Sequence, residues 1–507
     1  MPPKAAFNLH SRYAKTMDQF KQGAYTVKPA EFPKLFMAWT IRYIRRLLPI
    51  LALAIIPFCL LCFATSISDL RSYPGADLRP KIVGARLLAA GLNPYKSPTI
   101  GLQNDYYRTN NFITYTPALL MLYMPLSRLP FSIERFIYYC FDWLCVAIAL
   151  YILQCSFCQT RLQKYMCWFV YAVFVICSYA FRVHLERGQY YTLLLLLTCH
   201  AAVSIKDKLP SWLSCVPASL LLLLRPTYGL MLIAALICMG ARKWALRVTL
   251  IATVMFAVTL QFGGVQRWLD FMHTVHEQNV MAIEEIATNS STSNDTKPLH
   301  GTESNVIEHI DFHKMLNTHS MNGTFVGVFS LPFGRATGEF SALNIAPSPR
   351  WINLINSACI VFILAGGLTV AFIARRRIVR KNTLIAYVFL WPLILEIFGP
   401  QRYFYTAVLE ILPLLILLLD SDNFRLDMLS IPRFYLLATA FALGVFPSVV
   451  FQLTYNLSVL RGTALAASFL TLFVLPICLA IICVYSILVS PRRTGNGPLP
   501  IRSQTTP

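Results

Sequence analysis

The chain is short of charge. Of its 507 residues only 13% are Asp, Glu, Lys or Arg, where soluble proteins carry roughly a quarter. Acidic residues are the scarcer sign, 23 against 44 Lys and Arg, and the formal net charge is +21. With 56% apolar residues and a mean hydropathy of +0.56, this balance excludes a soluble enzyme, a disordered tail protein and a nucleic-acid-binding domain. Nucleic acid is therefore not an expected partner. What remains is an all-α polytopic membrane protein whose cations sit mainly in loops.

Other absences narrow the reading. The two longest polar stretches, 67–115 and 263–350, contain no cysteine. A disulfide framework would place cysteines there, so Cys59, Cys62, Cys140, Cys145, Cys177, Cys199, Cys215, Cys238, Cys359, Cys478 and Cys483, all in apolar runs, read as small packing residues. Cys155-x-x-Cys158 lacks the second pair that structural zinc wants. The first 47 residues are polar and basic, with no early apolar core of a cleaved signal. No repeat relates the two halves, which weakens the case for a transporter built on internal symmetry.

What the chain has in quantity is apolar runs. They fall at 48–66, 134–157, 164–181, 189–205, 211–225, 226–241, 245–262, 351–373, 383–398, 403–419, 433–451 and 463–489, which predicts about twelve spans with both termini cytoplasmic. Short loops at Arg161 and Lys164, Lys206 and Lys208, Arg242 to Arg247, Arg375 to Lys381, and Arg492 and Arg493 carry the positive charge of the inner side. Two places resist. Stretch 116–130 has Pro at 117, 125 and 130 and reads as an interfacial or partly inserted helix. Arg225-Pro226 interrupts 212–240, which reads as two short spans meeting at the outer face, with a single long helix as the alternative. The segments are then a cytoplasmic 1–47, a main module over 48–420 with outer loops 67–133 and 263–350, further spans over 421–490, and a cytoplasmic tail 491–507.

The outer loops hold the chemistry-bearing residues. Ile82, Val83, Leu87, Leu88 and Ala90 have amphipathic helical spacing, with Arg79 and Arg86 on another face and Asp77 at the N-cap region. Asp77 is either a capping residue or a carboxylate held at the membrane surface as a general base. Arg225 is either a snorkelling interfacial cation or a ligand for a lipid phosphate. His184, Glu186, Arg187 and Gln189 cluster at another outer turn, as a phosphate or sugar contact or as a structural salt bridge. Glu396 with Arg402 and Tyr403 reads equally as an ion pair or a substrate contact. Asp142 and Glu410 lie within spans and are expected to face the bundle interior. His309, Asp311, His313 and His319 have a spacing open to metal, but loop histidines are usually solvated, so no metal site is expected. Asn289, Asn294, Asn322 and Asn456 begin N-x-S/T sequons.

Several of these residues recur in order. Asp77 with Arg79, Gly91-Leu92-Asn93-Pro94-Tyr95, Tyr115-Thr116-Pro117-Ala118-Leu119 and Pro125-Leu126-Ser127-Arg128-Leu129-Pro130 resemble the opening of glycosyltransferase family 87. Gly188-Gln189 resembles its "GQ" helix start, and Arg225-Pro226-Thr227 its "K-P-T" element with Arg in place of Lys. Asn322-Gly323-Thr324 resembles its "N-x-S", and Pro400-Gln401-Arg402-Tyr403 with Leu412-Pro413 its last outer motif, here without the usual His. The resemblance covers about 48–420.

The resemblance implies a GT-C-type bundle and inverting transfer of a sugar, typically mannose or arabinofuranose. The donor would be a polyprenyl-phosphate sugar, the acceptor a lipid or glycan on the outer face. It makes Asp77 the presumed base. Arg225, Arg187 and Arg402 are then the candidates for the donor phosphate. Arg79, Asn93, Tyr95, Tyr115, His184, Glu186, Gln189, Asn322 and Tyr403 are the candidates for substrate contacts. No cofactor is expected, and a divalent cation is not predicted. A bacterial inner membrane with an outward-facing site is the expected location. The alternatives are a transporter or flippase, or an inactive accessory subunit of the same fold.

Overall fold

The computed structural model describes residues 32–72, 75–96, 106–109, 113–207, 212–291, 349–397, 404–420 and 475–491. Among these residues the protein is helical, with no strand. The helices are α1 (Phe32–Ser72), α2 (Leu78–Ala89), α3 (Pro117–Tyr123), α4 (Phe131–Phe157), α5 (Arg161–Tyr171), α6 (Tyr179–Arg187), α7 (Tyr191–Asp207), α8 (Val216–Leu224), α9 (Pro226–Cys238), α10 (Arg242–Leu260), α11 (Gly264–Ser291), α12 (Pro349–Arg375), α13 (Lys381–Ile397), α14 (Ile411–Leu418) and α15 (Leu475–Val489).

Among the described residues, four helical stretches are long and apolar enough to cross a membrane: Arg46–Ser68, Phe131–Phe157, Arg242–Leu260 and Ser357–Arg375. Their outward faces keep large apolar side chains exposed, among them Leu53, Phe58, Leu144, Val254 and Phe362. In water that surface would be costly; against hydrocarbon it is the expected face. The protein is therefore an integral membrane protein with several apolar helices.

Where they are described, the other apolar runs fold into shorter or broken helices. Run 164–181 becomes α5, a π-helical turn at Ala172–Ile176, and α6, with a 52° bend between the two halves. The break falls where the Ser178 hydroxyl accepts from the N–H of Phe181 and starts α6 afresh. At Arg225-Pro226 the chain leaves helical geometry, α8 ends and α9 begins. It turns back so sharply there that a Cβ on Gly229 would lie 2.3 Å from the Cα of Leu222. Two helices form here, as the Arg-Pro break predicts, and not the single long alternative; at 1.5 Å per residue neither reaches the ~30 Å of a bilayer core. Stretch 116–130 contains the short α3, with Thr116 capping it through the N–H of Leu119 and Pro117 in its first turn. Run 433–451 lies outside the described residues. The first third of the stretch expected as a second polar loop is instead α11, Gly264–Ser291.

The buried bundle has two recognisable ends. The 27-residue α4 runs about 40 Å between them. At one end Gln163 donates to the carbonyl of Leu419, Lys206 to that of Ser156, Arg377 to that of Ser490, and Arg380 pairs with Asp420. These are loops whose basic residues the charge pattern assigned to a common side. The opposite end holds α2, α3, the α6–α7 junction and the α8–α9 junction.

α2 departs from the surface helix its spacing suggested. Leu78 and Pro80 to Leu88 are all buried, Lys81 and Arg86 included. Val83, Leu87, Leu88, Ile113 and Leu120 form a small core between α2 and α3, while Leu78, Ile82 and Ala85 join the main one. Arg86 tolerates burial because its guanidinium meets both Glu134 oxygens at 3.1 Å and donates to the carbonyls of Ser127, Tyr106 and Leu129. It is a structural staple, not an outward-facing cation.

Candidate functional site

Asp77 stands immediately before α2, yet its side chain does not cap that helix. It turns to the α6–α7 junction. Arg187 Nε approaches Oδ2, Arg187 Nη2 donates to Oδ1 at 3.1 Å, and Gln189 Nε2 donates to Oδ2 as well. The Asp77 N–H in turn donates to the Arg187 carbonyl at 2.9 Å. The carboxylate is thus gripped by a two-point guanidinium fork and an amide, an arrangement that fixes its plane as well as its position.

Gly188 makes this junction possible. It ends α6 in the left-handed region at φ 69°, and a Cβ there would come 2.5 Å from the Cβ of Leu78. Only glycine meets both conditions without displacing α2. The turn delivers Arg187 and Gln189 to opposite sides of one carboxylate. Tyr138 donates from α4 to the Gln189 carbonyl and secures the start of α7.

Beneath the carboxylate lies Lys81, one helical turn along α2 and 0% exposed. Its Nζ donates at 2.8 Å to the carbonyls of Asp77 and Gly188 and sits 4.5 Å from the centre of the Tyr115 ring. Burial pulls its ammonium down to about 7, against the opposing pull of the Asp77 and Asp142 carboxylates. Burial likewise pushes the Tyr115 phenol well above its ordinary range; its hydroxyl donates to the Asp77 carbonyl at 3.3 Å.

Aromatic rings lead from here to the α8–α9 junction. Tyr115 meets Tyr190 edge-on at 6.2 Å, Tyr190 lies 5.4 Å from Tyr191, and Arg225 stacks over Tyr191 at 4.9 Å while donating to its hydroxyl. Asp77, Lys81, Arg187, Gln189, Tyr115 and Arg225 therefore share one end of the bundle.

The remaining candidates lie elsewhere. Arg79 donates to the Arg108 carbonyl and stacks on Phe131. Glu186 pairs with Arg182 at 3.2 Å, one turn back on its own helix. Asn93 and Tyr95 anchor the first loop: Asn93 donates to Asp270 at 2.7 Å, and the Tyr95 hydroxyl donates to the Tyr115 carbonyl at 2.6 Å. Lys96 and Gln266 complete the ring of donors around Asp270. Burial works to raise that carboxyl, but these donors hold it below its ordinary range. His184 is buried, with Nε2 3.2 Å from Asp142 in the bundle interior. Asp142 and Glu410 both face that interior. Asn322, Arg402, Tyr403 and the histidines at 309, 313 and 319 lie outside the described residues. Among the described residues no group of three or more His, Cys, Asp or Glu could hold a metal.

Lys81 is the residue that sequence reasoning missed. The signal available for it was its i+4 spacing from Asp77 on a helix whose other face is apolar.

The fold and site define a membrane-embedded protein with a carboxylate and several cations at one end of a helical bundle. The model of glycosyltransferase family 87 matches residues 112–303, the segment that supplies Tyr115, Arg187, Gln189 and Arg225. This supports the family that the motifs resemble and gives the class of enzyme: the chain is a membrane glycosyltransferase. Comparison with curated proteins and with solved structures gives no match.

Proposed function

We propose that the protein transfers one sugar, with inversion, from a polyprenyl-phosphate donor to a lipid or glycan acceptor on the outer face of the membrane, with Asp77 as base. The observation that carries this reading is the Asp77 carboxylate itself. It is freed from helix capping, held by Arg187 and Gln189, and linked through Tyr115, Tyr190 and Tyr191 to Arg225. The acceptor hydroxyl gives its proton to a carboxylate oxygen of Asp77 as the oxygen bonds to the anomeric carbon. The bond from that carbon to the phosphate oxygen breaks, and polyprenyl phosphate leaves with the electron pair. A phosphate leaving group needs no strong acid if cations stabilise its charge. In this reading Arg225 takes that task, and Arg187 joins it by exchanging part of its grip on Asp77 for the phosphate. Tyr115 and Gln189 line the approach, and His184 is a support behind it.

The same reading takes the fold as a GT-C-type bundle of about twelve spans, with a catalytic module over 48–420, both termini cytoplasmic, in a bacterial inner membrane. The sorting of basic loops to the end of the bundle opposite Asp77 supports that orientation. The test is Asp77→Asn, assayed with a labelled polyprenyl-phosphate sugar. A loss of at least about 100-fold is expected for a general base; undiminished transfer by the variant sinks the assignment, and no transfer by the wild type sinks the enzyme reading.

A further inference from the structure

An ammonium group with no exposure and no carboxylate bonded to it needs a physical account. Burying a charge is expensive unless bonds compensate it. Lys81 spends its bonds on the main-chain carbonyls of Asp77 and Gly188, each at 2.8 Å. They belong to the two segments that meet at the reacting carboxylate: Asp77 opens α2, and Gly188 closes α6 between Arg187 and Gln189. Two further bonds point to the same junction. The Asp77 N–H donates to the Arg187 carbonyl, and the Tyr115 hydroxyl donates to the Asp77 carbonyl. The Tyr115 ring covers the ammonium at 4.5 Å, with Tyr190 at 5.8 Å. These faces favour a cation and keep water off it.

We infer that Lys81 is a positioning residue of the transfer reaction: its ammonium bridges the Asp77 and Gly188 carbonyls and thereby sets the Asp77 carboxylate in register with Arg187 and Gln189. This rests on the reading of Asp77 as the base. Without the bridge, the Asp77 backbone is free to rotate its carboxylate off the guanidinium fork. An ångström of misplacement at a reacting group is enough to cost orders of magnitude in rate. Substrate binding depends on it far less, since Lys81 is buried below the carboxylate.

The test compares wild type, Lys81→Met and Lys81→Arg in detergent or nanodiscs, reading kcat and donor KM separately, with Asp77→Asn as the reference for loss of the base. Lys81→Met is expected to stay folded, to lose about 10- to 100-fold in kcat and to keep donor KM within about threefold; Lys81→Arg, which retains the charge, recovers part of the rate. A second readout does not depend on turnover: Asp77 is labelled with a water-soluble carbodiimide and glycine ethyl ester, and the modified peptide is quantified. Release of Asp77 from Arg187 in Lys81→Met is expected to raise its labelling several-fold. Wild-type kcat together with wild-type labelling in Lys81→Met overturns the inference, as does a change in donor KM alone. If the wild type transfers no sugar, the glycosyl-transfer reading fails and the labelling result still decides whether Lys81 positions Asp77. If Lys81→Met does not fold, Lys81→Gln, a shorter neutral side chain that removes the ammonium bridge, is expected to raise Asp77 labelling; unchanged labelling there also counts against the bridge.

Discussion

Asp77 and Arg187, 110 residues apart in the chain, are joined twice: the guanidinium of Arg187 forks onto the Asp77 carboxylate, and the Asp77 N–H donates to the Arg187 carbonyl. The second bond fixes where the first must occur. Arg187 can give up a side-chain contact, to a phosphate for example, while the main-chain bond keeps the two residues together. Arg187→Lys preserves the charge and loses the planar fork. We expect donor KM to rise and kcat to fall, together about 10- to 100-fold in kcat/KM, in a variant whose melting behaviour in detergent stays near that of the wild type. Full activity with lysine would show that only a point charge is needed.

Gly188→Ala tests the junction from the backbone side. The added methyl group requires a left-handed φ and collides with the Leu78 side chain at 2.5 Å. Strain of this kind costs about 1–3 kcal/mol, so thermal stability should drop. Because α2 has to shift, transfer should fall by more than the folded fraction does. A variant as stable and active as wild type would show that the α2–α6 contact is looser than its geometry indicates.

How far this site could be read from the chain depends on where each partner lies. Asp77, Arg187, Gln189 and Arg225 could be picked out because each sits at a recognisable punctuation mark: a helix start, a Gly-Gln turn, an Arg-Pro break. What the side chains do there is a matter of tertiary contact. Capping is the local option for Asp77, and it loses to a guanidinium 110 residues away. Arg86 and Glu134 could not be matched from periodicity, since helical spacing sorts faces and does not show which polar face will be covered. Lys81 fell into the same gap, a lysine on a polar face that Tyr115 and the α6–α7 junction cover. For the spans, apolar runs located most of the described helices. The break at Arg225-Pro226 was legible because proline marks it, whereas run 164–181 was read as one span across Ser178, because hydropathy averages across a break that one residue makes.

Arg86 supplies a contrast between holding the fold and serving the reaction. Its pair with Glu134 is almost fully excluded from solvent, with side-chain exposures of 5% and 0%. Arg86→Met strands a buried carboxylate and should destabilise by about 3–5 kcal/mol. Pairing it with Glu134→Leu should recover much of that loss, since matched apolar replacements of buried ion pairs are often neutral. Purified, folded double variant should retain donor KM. A selective rise in donor KM in the double variant would instead move Arg86 into the substrate site.

Arg225 offers the corresponding test of the phosphate. It stacks on Tyr191 and shares a hydrogen bond with its hydroxyl. Arg225→Gln should raise donor KM about tenfold or more, as loss of a charge-assisted contact does, and weaken inhibition by free polyprenyl phosphate in parallel. Equal inhibition of the variant and the wild type would assign Arg225 to interfacial anchoring.

The buried ammonium of Lys81 makes stability depend on pH in a direction set by its shift. Its ordinary value is 10.5, and burial lowers it to about 7 in the folded protein. Between those limits the unfolded chain holds a proton that the folded protein has released, so raising the pH favours folding. Below about 7 both states are charged and the folded protein bears the whole cost of burial; near 10.5 that cost is gone. Thermal midpoints measured in detergent should therefore climb from about pH 7 towards pH 10, over and above the contribution of other groups. Lys81→Met removes the titrating proton, so the difference between variant and wild type should be largest at pH 7 and shrink as the pH rises. A difference that stays constant across this range would mean that Lys81 keeps its proton throughout, and that the two carbonyls and the Tyr115 ring satisfy its charge fully.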